Sequence, residues 1–242
     1  MKTCIIIPAR LASSRLPSKV LADINGKPMI LHVFNNCVKA NCGDVFVATD
    51  SEDVKFIIEK AGGKAILTNP DLPSGTDRIH AALSIIDAEK TIYSHVINVQ
   101  GDVPNISSEV ISKTYSLLLK AKADITTPIT LITDEAKKNK ANVVKAIVSF
   151  KGNDFGKALY FTRSLAPSGE GNVYEHIGLY AYTRNALEKF VSSKPSTLEK
   201  RESLEQLRAL ENDMSIFVQL VDFTPISVDV MEDLENARKV IF

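Results

Sequence analysis

Short apolar, β-branched runs alternate with segments of helical period through the first hundred residues, and this alternation constrains the fold more than any other feature of the chain. Residues 3–7 read as a strand. Pro28 opens a helix whose expected buried stripe is Ile30, Val33, Phe34, Cys37 and Val38. Residues 44–49 form the next strand and 51–61 the next helix, with Glu52 and Asp53 in its first turn and Gly62 as its stop. Residues 64–68 give a third strand. After a loop, Ile79, Leu83 and Ile86 share one helix face, and 95–99 is a continuous apolar strand of the kind buried inside parallel sheets.

Such alternation predicts an α/β fold, a doubly wound sheet whose ligands bind at the carboxyl ends of the strands. The loops that would carry chemistry are therefore 9–26, 50–53, 69–77 and 100–105. The second half has a different texture. Residues 124–130, 143–150, 158–161 and 176–183 read as strands with brief polar connections, which predicts a mixed sheet with a smaller antiparallel elaboration. Helices are expected over 198–211 and 231–241, flanking a strand at 215–221. No Pro/Gly/Ser-rich linker or repeat divides the 242 residues. The expectation is one domain over 1–242, with a nucleotide-binding part about 1–125 and an elaboration about 126–215.

Charge and cysteine content exclude several functions. The 29 Lys and Arg cancel the 29 Asp and Glu, so no basic field would hold the chain on nucleic acid or an anionic membrane. No apolar run is long enough for membrane insertion, and the opening strand is stopped too early by Pro8 for a secretory signal, so a cytoplasmic location is expected. Three cysteines without CxxC spacing and four scattered histidines read as reduced thiols and not as a zinc site.

Any anion binding must then be local, and the loop after the first strand offers it. Arg10, Arg15 and Lys19 fall within ten residues at a strand's carboxyl end, a grip suited to a polyphosphate: Arg supplies a fixed fork, Lys a mobile charge. The loop lacks both GxGxxG and GxxxxGK[ST], which argues against a dinucleotide oxidoreductase and a P-loop enzyme. Asp102 follows the apolar strand directly, and Asp229 follows a late one. Carboxylates at strand ends beside a phosphate grip are where Mg²⁺ would be held.

Nine ordered blocks then carry a resemblance over nearly the whole chain: PARLASSRLPSK at 8–19, DINGKPM at 23–29, VATDSEDV at 47–54, PSGTDR at 73–78, NVQGD at 98–102, ALYFTR at 158–163, HIGLY at 176–180, LEQLR at 204–208 and VD at 228–229. Together they resemble the 3-deoxy-manno-octulosonate cytidylyltransferases, the CMP-Kdo synthetases. The resemblance implies a nucleotidyltransferase-type fold, a homodimer, and activation of Kdo by CTP for lipopolysaccharide assembly. It implies that Arg10, Arg15 and Lys19 hold the triphosphate with Ser13 and Ser14 lining the loop, and that Ser74, Gly75, Thr76 and Arg78 border the nucleotide. Gln100 would lie between nucleotide and sugar. Asp102 and Asp229 would bind Mg²⁺, and Arg163, His176, Tyr180, Glu205 and Gln206 would form the sugar-acid pocket.

Pattern alone gives plainer readings of the same residues. His176 and Tyr180 fit an ordinary strand, Glu205 and Gln206 the solvated face of a helix whose apolar side is Leu204, Leu207 and Leu210, and residues 74–76 a turn with a helix cap. The chain also departs from the family pattern: GDVP stands at 101–104 in place of GDEP, VDVMEDL at 228–234 in place of VDTPEDL, Ser18 in place of Gly, and Val20 in place of Pro. Those changes leave open a related sugar acid such as 8-amino-Kdo, or a catalytically silent nucleotide-binding homologue.

Overall fold

The structure, a computed structural model, describes residues 2–12, 15–223 and 225–241. Ser13 and Ser14, expected in the phosphate loop, lie outside the described residues. The chain forms two compact units: the stretch up to Ser112 joins the segment from Pro225 onward, and the stretch between them makes the second.

The first unit holds the predicted alternation. Strand β1 (Lys2–Ala9) is buried at every residue after Lys2, which is why it reads as an unbroken apolar run. A two-residue hairpin, β2 (Asp23–Ile24) and β3 (Lys27–Pro28), leads into α1 (Met29–Ala40). Then come β4 (Asp44–Thr49), α2 (Glu52–Lys60), β5 (Lys64–Leu67), α3 (Gly75–Ile86) and β6 (Tyr93–Val99). The α1 stripe is Met29, Ile30, Val33, Phe34 and Cys37, whereas Val38, expected on it, lies off its edge and is half exposed. Ser51 caps α2 by accepting from Val54 N at 3.3 Å.

The four long strands of this unit are all parallel and lie in the order β5-β4-β1-β6. Successive crossovers run outward from β1 through β4 to β5, then return to the other side of β1. The order therefore reverses between β1 and β6, and the loops leaving these two strands open at that reversal, the place where open α/β sheets bind ligands. The close approach of the two strand ends is visible at Gly101, where a Cβ would sit 2.8 Å from Pro8 O.

Helix α4 (Ser108–Ala121) was not anticipated. Its buried stripe of Val110, Ile111, Leu117 and Leu118 contains the polar but buried Thr114, which hides the period. The second unit contains β7 (Ile125–Leu131), the short α5 (Glu135–Lys138), β8 (Lys145–Phe150), β9 (Phe155–Thr162), β10 (Tyr174–His176) and β11 (Leu179–Thr183). It continues with α6 (Arg184–Ser192), α7 (Thr197–Glu202), α8 (Gln206–Glu211) and β12 (Ile216–Leu220). Here β12 and β7 pair in parallel; β7 also pairs antiparallel with β11 and β10, and β9 with β8 and β12. The mixed sheet and antiparallel elaboration are as the sequence predicts.

Two predicted elements are broken. The strand at 176–183 divides into β10 and β11, because Ile177 N bonds to Pro128 O (3.0 Å) and Leu179 N turns back to Ile177 O (2.7 Å). The helix at 198–211 divides into α7 and α8 at Ser203, whose left-handed φ of 54° stops one helix before the next begins.

The last helix, α9 (Met231–Val240), returns the chain to the first unit. Leu234 and Ala237 pack with Val228, Met29 and Ile24 in a buried cluster that Leu16, Ala22, Ile226 and Ile241 border. Burying each of the larger side chains, Ile24, Met29, Val228 and Leu234, contributes roughly 1.5–3 kcal/mol. The cluster joins the loop after β1 to the segment that carries Asp229.

Candidate active site

Lys19 opens a single 3-10 turn (Lys19–Leu21) fixed by burial of Val20. Its ammonium lies 2.7 Å from Asp102 Oδ2, 3.0 Å from Asp229 Oδ1 and 3.0 Å from Val228 O. All three donors are therefore used. Burial alone would lower the Lys19 pKa, but the Asp102 and Asp229 carboxylates outweigh it and hold the ammonium above its ordinary value. Arg15 reaches Asp229 Oδ1 at 3.0 Å from a more exposed position.

The backbone holds the two acids where they are. Val228 N donates to Asp102 O at 2.9 Å, and Ile226 N to Asn105 Oδ1 at 2.9 Å, so the late segment runs beside the loop after β6. Asp233, three residues into the α9 region, accepts from Asp229 N and Val230 N at 2.9 and 3.0 Å and closes the helix start. The departures from the family pattern leave this frame intact: Val103 is buried, while Val230 and Met231 point their apolar surface outward.

Arg10 is exposed on the loop, and the structure shows how that loop is held. Leu11 N donates to Asp50 Oδ1 at 3.1 Å. Arg78, which the resemblance implies borders the nucleotide, is buried: it gives Nη1 to Thr68 Oγ1 at 2.6 Å and Nη2 to Asp50 Oδ2 at 3.3 Å. Burial lowers its pKa, Asp50 opposes the shift and Arg10 adds to it. Arg78 and Asp50 thus brace the loops after β1, β4 and β5 against one another. Asp50 falls in a loop that the sequence marked for inspection, but its partner could not be read there.

Ser74 caps α3, accepting from Asp77 N at 3.1 Å while its hydroxyl donates to Asp77 Oδ2 at 2.7 Å. Thr76 is buried. A Cβ at Gly75 would stand 3.4 Å from Pro8 Cγ and 3.5 Å from Gln100 Oε1, so Gly75 lies close beside Gln100 and the end of β1. Gln100 Nε2 donates to Asn98 Oδ1 at 3.2 Å, and the buried Asn98 Nδ2 has no hydrogen-bond partner among the described residues.

The other expected cluster lies in the second unit. His176 ends β10 with Nε2 2.9 Å from Thr127 Oγ1, its ring 5.1 Å from Phe161 edge-on and 5.3 Å from Tyr180. Burial pushes the His176 pKa down to about 3 and raises that of Tyr180 well above its ordinary value, with Tyr182 and Glu205 adding to the latter. Gln206 is not on a solvated face: it is 7% exposed, and its buried Nε2 has no hydrogen-bond partner among the described residues. An amide donor buried unpaired costs about 1–3 kcal/mol, which a bound hydroxyl or carboxylate would recover. Arg163, at the end of β9, directs Nε to Glu202 O (2.8 Å), Nη1 to Ala141 O (3.0 Å) and Nη2 to Ser203 O (3.2 Å).

Asp102 and Asp229 also pass a chemical test for a magnesium site. Their oxygens converge on one cationic point from chain segments far apart, and a pair of hard carboxylates is the donor set that Mg²⁺ uses while keeping waters and phosphate oxygens. Among the described residues no group of three or more His, Cys, Asp or Glu stands together, so a magnesium ion here would rest on these two carboxylates and on waters or substrate oxygens.

A cationic loop and paired acids at the reversal point of a parallel sheet, in a chain that also carries a mixed-sheet unit, define a nucleotidyltransferase-type protein, and the cytidylyltransferase family model matches residues 4–216. The 3-deoxy-manno-octulosonate cytidylyltransferase of Rhizobium meliloti is 52% identical over 242 residues, covering 99% of this chain and 96% of the relative. That of Parvibaculum lavamentivorans is 48% identical over 237 residues, covering 98% and 92%. A solved structure of CMP:2-keto-3-deoxy-manno-octonic acid synthetase complexed with CTP superposes with a TM-score of 0.91 at 34% identity, over 100% of this chain and 98% of that one. UDP-glucose pyrophosphorylase complexed with UDP-glucose, at 14% identity and a TM-score of 0.71, shares the fold. The chain belongs to the 3-deoxy-manno-octulosonate cytidylyltransferase family.

Proposed function

We propose that the protein transfers CMP from CTP to 3-deoxy-D-manno-octulosonate, releasing pyrophosphate, with Mg²⁺ held by Asp102 and Asp229. The observation that carries this reading is the convergence of those two carboxylates on the Lys19 ammonium, with Arg15 also reaching Asp229. In the reaction the anomeric hydroxyl oxygen of the sugar attacks the α-phosphorus, the bond to the bridging oxygen breaks, and pyrophosphate leaves with the electron pair while the hydroxyl proton passes to solvent. Mg²⁺, when bound, supplies Lewis-acid stabilisation of phosphate oxygens.

The chain's own residues do the rest. Arg10, Arg15 and Lys19 neutralise charge on the triphosphate and on the leaving group. The braced loop keeps those cations in place, so they need little reorganisation as charge moves. Gln100, Ser74 and Gly75 line the nucleotide. In the second unit Arg163 would pair the sugar carboxylate, and Gln206, His176, Tyr180 and Glu205 would bond its hydroxyls.

A homodimer and a cytoplasmic location fit this role. Among the described residues no helix is long and apolar enough to cross a membrane. The test is pyrophosphate release measured across the four nucleoside triphosphates and a set of sugar acids including Kdo and 8-amino-Kdo. Release with CTP and Kdo at the highest kcat/KM is expected. Preference for another base or another acid overturns the assignment.

A further inference from the structure

We propose that Glu202 is a positioning residue for the sugar-acid pocket, acting through Arg163. This rests on the pocket assignment above. Glu202 ends α7, and its carboxylate turns onto the end of β9: Oε2 accepts from Arg163 N at 3.0 Å, and Oε1 accepts from Thr162 Oγ1 at 2.9 Å and, more distantly, from Tyr160 OH at 3.5 Å. The Arg163 side chain runs the other way, bonding the carbonyls of Glu202 and Ser203 at 2.8 and 3.2 Å. Each residue's side chain therefore clasps the other's backbone.

The clasp sits beside the left-handed Ser203, and the next residues of the chain lead straight to Glu205 and Gln206 at the start of α8. It fixes the direction of the guanidinium and the path of the turn that delivers two more pocket residues. The same strand end is tied from below by Lys145, fully buried, whose ammonium donates to the carbonyls of Arg163, Val143 and Lys140 at 2.5, 2.8 and 2.9 Å. A charged carboxylate is suited to this task, because it accepts from several donors at once. Losing it frees the Arg163 backbone amide and lets the side chain move by a distance that matters: misplacement of about an ångström costs about a hundredfold in a positioned reaction.

Steady-state kinetics with Kdo and CTP varied independently tests this on wild type, Glu202→Ala, Glu202→Gln, Arg163→Ala and the Arg163→Ala/Glu202→Ala double variant. Glu202→Ala is expected to raise the KM for Kdo about tenfold or more while leaving the KM for CTP within about twofold. Glu202→Gln, which keeps the volume and one acceptor oxygen, should fall between, and reads the same quantity if the alanine variant does not fold. The double variant should be no worse than Arg163→Ala alone, since Glu202 acts through that side chain. Multiplying effects, or equal losses for both substrates together with a lowered Tm, overturn the proposal and leave Glu202 a structural residue. If Arg163→Ala itself leaves the KM for Kdo unchanged, the pocket assignment fails and the role of Glu202 fails with it.

Discussion

The Lys19 ammonium stands 3.0 Å from Asp229 Oδ1, a carboxylate 210 residues further along the chain. Neither group is fully buried, so their pairing adds little stability by itself. What brings them together is apolar: Val228, immediately before Asp229, is fully buried with Met29 and Ile24, and Leu16 borders the same cluster. Packing thus places chemistry that the ion pair alone could not hold.

Asp102→Asn and Asp229→Asn are therefore expected to fold normally and lose turnover. Pyrophosphate release should fall about 10²–10³-fold in each variant, the range found when one electrostatic stabiliser is removed, and should vanish in excess chelator. Thermal melts should shift by the equivalent of less than about 1 kcal/mol, because both acids are partly solvated. Undiminished release in chelator would remove Mg²⁺ from the reading.

Ser18 occupies left-handed backbone space at φ 54°, ψ 28°, at the position where the family pattern has glycine. A residue with a Cβ is disfavoured there by about 1–2 kcal/mol, from which the greater unfolded-state freedom of glycine subtracts about 0.5–1 kcal/mol. Ser18→Gly should stabilise the protein by about 0.5–1 kcal/mol in denaturant unfolding, with kcat unchanged. A loss of stability would show that the serine makes a contact that outweighs its backbone strain.

Strand-helix alternation made the parallel layer legible, because a buried parallel strand such as β1 is apolar at nearly every position. The loops at its carboxyl ends followed from topology, and the charges on them were visible directly. What the sequence concealed are the partners of those charges. Arg78 is buried against Asp50 and Thr68, a pairing set by how three loops fold over one another and not by anything in its own segment. Gln206 looked solvated because the period was extended through Ser203. Once the chain turns left-handed there, α8 starts afresh and a different face is buried. Thr127 and Glu202 carried no signal, since a lone threonine in a strand and a glutamate in a charged helix are common everywhere.

Arg208 and Glu199 brace α8 against α7 through two parallel bonds, Nε to Oε2 at 2.8 Å and Nη2 to Oε1 at 2.5 Å, with the guanidinium 4.7 Å from the Phe190 ring centre. Burial would raise the Glu199 pKa, but bonds from Arg208 and from Ser196 N hold it below its ordinary value. Lysine keeps the charge but supplies neither the fork nor the flat face. Arg208→Lys should cost about 2–3 kcal/mol, and Arg208→Ala about 3–5 kcal/mol by stranding a buried carboxylate. Equal stability of wild type and the lysine variant in urea would show that charge alone is needed.

His176 gives a pH prediction whose sign follows from its tautomer and burial. Thr127 has one hydroxyl proton and lies 2.7 Å from Leu179 O and 3.1 Å from Ile177 O, so it donates to a carbonyl and must accept from His176. The neutral ring therefore carries its proton on Nε2. Burial holds the folded pKa at about 3, below the ordinary 6.5, so between those values the unfolded chain binds a proton that the folded chain does not. Stability must then fall as pH drops through that window, by at most about 1.4 kcal/mol per pH unit, and must show no contribution from His176 above it. His176→Gln retains an N–H donor for Thr127 and cannot titrate. Carboxylates elsewhere destabilise both proteins alike in acid, so the stability of wild type minus that of the variant isolates the histidine. Denaturant unfolding at pH 7.5, 6, 5 and 4.5, conditions chosen to span the upper part of the window, is expected to show that difference shrinking steadily toward acid. Two parallel curves would mean that the imidazole protonates in the folded protein without penalty, and would remove His176 from the set of neutral hydrogen-bonding groups proposed for the sugar pocket.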